Sequence, residues 1–115
     1  MKTPSTSIFV KTNFEAFHYW SQAPVEVAFL RNEHRHIFYV EVTFKVNHND
    51  RELEFFILKR RIDAFIFTAF KGKRFPFSCE ELATQIGTYL IQFEELPVIK
   101  VEVSEDLENG TIVEF

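Results

Sequence analysis

The sequence predicts an α+β fold in the order two strands, two helices, two strands (ββααββ), and three observations carry that prediction. Over residues 38–47, Phe38, Val40, Val42, Phe44 and Val46 alternate with Tyr39, Glu41, Thr43, Lys45 and Asn47. That period of two belongs to a strand with one face on a core and one wetter face. Two later segments carry apolar residues mostly three and four apart, the period of a helix face. The second of them opens on Ser78-Cys79-Glu80-Glu81, a capping box with a serine N-cap and a glutamate three residues on.

In chain order, residues 7–14 are rich in β-formers and are expected to form the first strand, running on toward His18. Residues 19–24 break it. Residues 25–30 read as a short extended piece, with Arg31-Asn32-Glu33 turning into the second strand at His34. Asn47-His48-Asn49-Asp50 is a polar turn whose side chains bond their own backbone, which leaves His48 solvated. Leu53-Glu54-Phe55-Phe56 reads as the end of a strand. Residues 57–70 read as a helix buried through Leu58, Ile62, Phe65, Ile66 and Phe70. Residues 71–77 connect it to the second helix, whose inner side is Leu82, Ile86, Tyr89, Leu90 and Phe93 and which Pro97 stops. Residues 98–103 form a third strand, Asn109-Gly110 a turn, and residues 111–115 a closing strand. With 115 residues and no repeat or linker, one domain spanning 1–115 is expected.

Composition narrows the function classes. Fifteen phenylalanines suit both a thick core and a subunit interface, because Phe buries much area and needs no hydrogen-bond partner. A net charge of −4 disfavours nucleic acid, whose phosphates need a concentrated basic surface. The basic runs Lys59-Arg60-Arg61 and Lys71-Gly72-Lys73-Arg74 read as solvated surface. The single cysteine, Cys79, leaves no internal disulfide and suits a reducing compartment. No apolar run approaches the ~18–20 residues that span a membrane. Met1-Lys2-Thr3-Pro4-Ser5-Thr6-Ser7 lacks the apolar stretch of a secretion signal. A cytoplasmic protein is expected.

The chemistry-bearing feature is a histidine set. On a strand His34 and His36 point the same way, about 7 Å apart along the chain, a spacing at which two imidazoles grip one metal ion. His18 closes the preceding strand and supplies a third. Three imidazoles from neighbouring strands leave one tetrahedral position open, as in catalytic zinc sites, although imidazoles also suit other ions. His34 and His36 share parity with the apolar residues of their strand, so the site belongs at the edge of the core unless a bulge intervenes.

Several separate stretches, covering most of the chain, also resemble one family. They are Phe14-Glu15-Ala16-Phe17-His18, the His34-Arg35-His36 pair before its alternating strand, and Glu54-Phe55-Phe56-Ile57-Leu58-Lys59. Further along come Phe77-Ser78-Cys79-Glu80-Glu81-Leu82-Ala83, Val101-Glu102-Val103-Ser104-Glu105 and the closing Glu114-Phe115. Together they are similar to the motifs of the 6-pyruvoyl-tetrahydropterin and 6-carboxy-tetrahydropterin synthase family of tunnelling-fold enzymes. The resemblance implies an antiparallel sheet with two helices packed on one face. It implies zinc on His18, His34 and His36, and Glu105 as the carboxylate that binds the substrate's pterin edge. It also implies trimers stacked into hexamers, with sites between subunits.

The chain departs from the family's pattern at its proton-transfer groups. The family's catalytic cysteine falls at Leu30 or near Ala28, and Glu33 lies beside His34 out of register. The Asp-His relay expected after the first helix is absent from residues 67–74. Cys79 reads as a small buried or capping-region residue, far in sequence from the histidines. The expected function is a divergent zinc-dependent, lyase-type enzyme acting on a pterin or purine-derived small molecule, with its catalytic residues unassigned. The alternatives are an oligomeric, non-catalytic protein that binds a pterin- or nucleotide-like ligand in the same pocket, and a structural oligomer with a vestigial site.

Overall fold

The computed structural model describes residues 4–115; Met1, Lys2 and Thr3, which head the segment searched above for a secretion signal, lie outside the described residues. Strands β1 (Thr6–His18) and β2 (His34–Val46) are each 13 residues long and pair antiparallel from Thr6 opposite Val46 to His18 opposite His34. Their shared register puts Val10, Phe14, Ala16, Phe38, Val40, Val42, Phe44 and Val46 on one buried face, as the alternation predicts. Strands β4 (Val98–Glu105) and β5 (Asn109–Glu114) extend the sheet antiparallel on the far side of β2.

Helix α1 (Phe55–Ala69) lies over β1, and α2 (Cys79–Gln92) over β4 and β5. Both bury their apolar stripes on the same sheet face, α1 through Leu58, Ile62 and Ile66 and α2 through Leu82, Ile86 and Leu90. One core results, which the sheet backs with Val101 and Val103. The fold is therefore the α+β tunnelling fold. Among the described residues no helix is long and apolar enough to cross a membrane.

Five local expectations are corrected. Residues 25–30 are not extended: Val25–Arg31 forms kinked 3-10 turns after Pro24, held by the Trp20 amide on the Leu30 carbonyl and the Arg31 Nε on the Ala23 carbonyl. Among the described residues no strand pairs with this stretch, and its hydrogen bonds are local. Phe55 and Phe56 begin α1 rather than end a strand, because the Glu54 carboxylate caps the helix, accepting from the Phe56 amide at 3.1 Å and the Ile57 amide at 3.2 Å. The connector holds a further strand, β3 (Arg74–Phe75), parallel to the end of β1, so the sheet order is β3-β1-β2-β4-β5. Phe93 lies past the end of α2 and is 70% exposed rather than inside.

The closing turn is also displaced. It falls at Asp106 and Leu107, both with positive φ, while Gly110 sits inside β5 opposite Ser104. A Cβ on Gly110 would stand 2.4 Å from the Val103 carbonyl oxygen. The glycine is needed for close strand approach, not for the turn.

Candidate metal centre

The parity of β2 holds without a bulge through its first residues, so His34 and His36 share the core face at the end of the sheet. Register sets His18 directly opposite His34, and Ala16 opposite His36. The three rings meet edge-on with centroids 4.5–5.1 Å apart. Below them Phe38 and Phe75 form an apolar floor, with the His18 ring 5.2 Å from that of Phe38. One potential ligand nitrogen from each histidine lies within 4.8 Å of the others.

Each Nδ1 is engaged by an oxygen on the side away from the cluster. His18 Nδ1 lies 2.9 Å from the Phe77 carbonyl, His34 Nδ1 2.8 Å from the Asn32 carbonyl, and His36 Nδ1 2.7 Å from Asp106 Oδ2. A carbonyl oxygen only accepts, so His18 and His34 donate from Nδ1, and His36 likewise donates from Nδ1 to the Asp106 carboxylate. This tautomer pattern is the one that supports imidazole ligation through Nε2. In the metal-free chain the Nε2 of His18 is taken up by Glu105. β3 is what places the Phe77 carbonyl: the Phe17 amide donates to the Lys73 carbonyl and the Gly72 amide to the Glu15 carbonyl, laying the connector along β1.

Glu105 ends β4 in register with Phe38, and its carboxylate reaches the inner side of the cluster, 2.8 Å from His18 Nε2 and 3.6 Å from His36 Nε2. Burial alone would lower the His18 pKa; the Glu105 hydrogen bond and charge and the Phe77 carbonyl outweigh it, and the pKa is raised. The bond from His18 likewise holds the Glu105 pKa down, aided by the charges of His36 and His34 and opposed by burial. Asp106 is also held down, by the His36 ring and the Ile37 amide.

Cys79 is where sequence distance misled. The first turn of α2 carries it to the same cleft, beside Glu105. Burial pushes its thiol up to about 12, with further upward pushes from the charges of Glu105 and Glu80. It is a protonated neighbour of the carboxylate rather than a nucleophile. The Ser78 hydroxyl caps α2 through the Glu81 amide at 3.1 Å, as the capping-box pattern predicts.

The cleft over the histidines measures about 510 Å³ and is walled by Trp20, Leu30 and Phe77 with His18, His34 and Glu105. Leu30 thus reaches the site but brings no base, and Glu33 instead pairs with Arg74 at 2.6 Å. His48 is exposed beside Glu52, remote from the cluster in the turn after β2. The basic runs find partners on the chain itself: Arg61 on Glu94, Lys73 on the Thr68 carbonyl, and Lys71 over the Phe67 ring. Asp106 escaped the sequence reading, and so did the nearness of Cys79 to the cluster, although its buried place at the start of α2 is as read. The alternation of β4 says nothing about a residue in the following turn, and no local pattern links α2 to β1.

No protein-family model and no curated protein sequence matches the chain. Among solved structures it is similar to the 6-pyruvoyl tetrahydropterin synthase of Caenorhabditis elegans, with a TM-score of 0.73 and 12% identity over 100% of this chain and 99% of that one. It is also similar to an uncharacterized protein from Wolinella succinogenes, with a TM-score of 0.78 and 14% identity over 97% of this chain and 99% of that one. These likenesses establish a shared fold.

Proposed function

We propose that the protein is a zinc-binding member of the 6-pyruvoyl-tetrahydropterin synthase-like proteins that takes a pterin- or purine-derived small molecule into the cleft over its histidines. The observation that carries the reading is the convergence of His18, His34 and His36, with one ring nitrogen of each within 4.8 Å of the others and each Nδ1 bonded to an oxygen. His18, His34 and His36 would hold the ion, and their neutral nitrogens with a nearby carboxylate fit zinc chemistry. When bound, the metal supplies Lewis acidity toward oxygens of the ligand.

The chain's own groups complete the site. Glu105 keeps its negative charge in the cleft, and a carboxylate matches the two adjacent N–H donors of a pterin edge. Trp20, Leu30 and Phe77 give the ring an apolar wall. The Phe77 carbonyl keeps the His18 proton on the outer nitrogen.

A lyase-type reaction is the first reading. The second is binding without turnover, and the cleft gives it specific support: Leu30 carries no base, Glu33 is tied to Arg74, and Cys79 stays protonated. A homo-oligomer, trimeric or hexameric, belongs to both. Among the described residues β5 has no neighbour on its outer side and β3 covers only the last two residues of β1, which leaves two strand edges for another copy. Exposed Phe9, Phe29, Phe56 and Phe93 would find cover in such contacts. A cytoplasmic location accords with the single free cysteine.

The test is the metal content per chain of untagged protein, beside the His34→Ala/His36→Ala variant. About one zinc per chain, absent from the variant, supports the reading and justifies screening pterin phosphates for turnover. A folded wild type that takes up no zinc sinks it.

A further inference from the structure

His36 is held differently from the other two histidines. His18 and His34 rest on backbone carbonyls, whereas the outer nitrogen of His36 meets a side chain, Asp106 Oδ2 at 2.7 Å. Its cross-strand partner is Ala16, which has no polar group to offer. Asp106 is itself fixed at two further points: Oδ1 accepts from the Ile37 amide at 3.0 Å, and the Asp106 amide donates to the Ile37 carbonyl at 2.9 Å. Its positive φ of 52°, which aspartate tolerates better than most residues, turns the chain after β4. That turn delivers the carboxylate to the back of the ring. The neighbouring rings of His18, His34 and Phe38 pack against His36, but among the described residues Asp106 is the hydrogen-bond partner of its Nδ1.

We propose that Asp106 is the positioning residue for His36: its carboxylate orients the ring, keeps the proton on Nδ1, and through that ring sets the affinity of the centre for its metal ion. Outer carboxylates of this kind also make an imidazole a stronger donor. The inference rests on the metal reading above and adds a residue that reading does not use.

The test compares untagged wild type, Asp106→Ala and Asp106→Asn for zinc affinity, by competition with a chromophoric chelator. The cobalt(II) absorption spectrum and the melting temperature of the metal-free proteins are recorded alongside. Asp106→Ala should weaken zinc about 10- to 100-fold and alter the cobalt spectrum. Asp106→Asn, whose amide oxygen still accepts one bond, should fall between it and wild type. Zinc binding at wild-type affinity by either variant overturns the proposal. So does a weakened Asp106→Ala with a wild-type cobalt spectrum and a lowered metal-free melting temperature, which is the signature of a damaged turn. A wild type that binds no zinc removes the metal reading itself, a different result from a wild type that binds while the variants do the same.

Discussion

Glu105 and His18 meet at 2.8 Å although their strands are not neighbours: β2 runs between them, and the contact passes over the Phe38 ring. The carboxylate and the imidazole thus close the inner end of the core, and each moves the other's ionisation.

The metal-free protein should show this pair in its pH dependence. His18 is raised from 6.5, so its contribution is fully present below pH 6.5 and is lost as pH rises through the folded value. Glu105 is lowered from 4.5, so its contribution is present above pH 4.5 and is lost as pH falls through the folded value. The melting-temperature difference between wild type and Glu105→Gln should therefore be greatest between pH 4.5 and 6.5. A difference that stays flat across that range and beyond would show that the pair is not formed.

Cys79 should be inert near neutrality. With its thiol pushed up to about 12 by burial and by acidic neighbours, thiolate is scarce at pH 7.5. Alkylation of the native protein should be far slower than that of the urea-unfolded chain, and Cys79→Ser should keep wild-type zinc content. Fast labelling of the folded protein would reopen a nucleophilic role.

Gly110→Ala should destabilise the β4–β5 hairpin. The added methyl would meet the Val103 carbonyl oxygen and the Ser104 Cα, backbone atoms that cannot step aside. A cost of about 1–3 kcal/mol is expected, read by urea unfolding. The same shift should weaken zinc binding, because this hairpin carries Glu105 and Asp106. A neutral substitution would contradict the strand approach.

Leu90 and Phe93 should separate core from surface on α2. Leu90→Ala empties a fully buried position and should cost about 2–5 kcal/mol. Phe93→Ala, at a residue 70% exposed, should cost under about 1 kcal/mol. If the protein self-associates through this surface, sedimentation should report a lighter species for Phe93→Ala at unchanged fold. Equal costs for the two variants would restore the inward position that periodicity assigned to Phe93.

The sequence by itself determined the core face of β2, both helices and the shared parity of His34 and His36. Each of these is set by side chains within a few residues: alternation chooses a strand's buried face, and spacing by threes and fours chooses a helix's. The serine cap of α2 was legible for the same reason, whereas the glutamate cap of α1 was hidden in an apolar stretch that also reads as strand. The histidine trio was half legible. His34 and His36 follow from strand geometry, but His18 joins them only because burial of Phe14 against Phe38 locks the two long strands in one register.

Tertiary structure alone decided how the rest of the site comes together. Asp106 lies 70 residues from His36 and reaches it through a turn whose position Asn109-Gly110 misindicates. Glu105 reaches His18 across an intervening strand, Phe77 offers its carbonyl because β3 pairs with β1, and Cys79 arrives on the end of a helix packed over β4. None of these placements has a local signal, because each is set by how separate elements share one core rather than by the propensity of any of them.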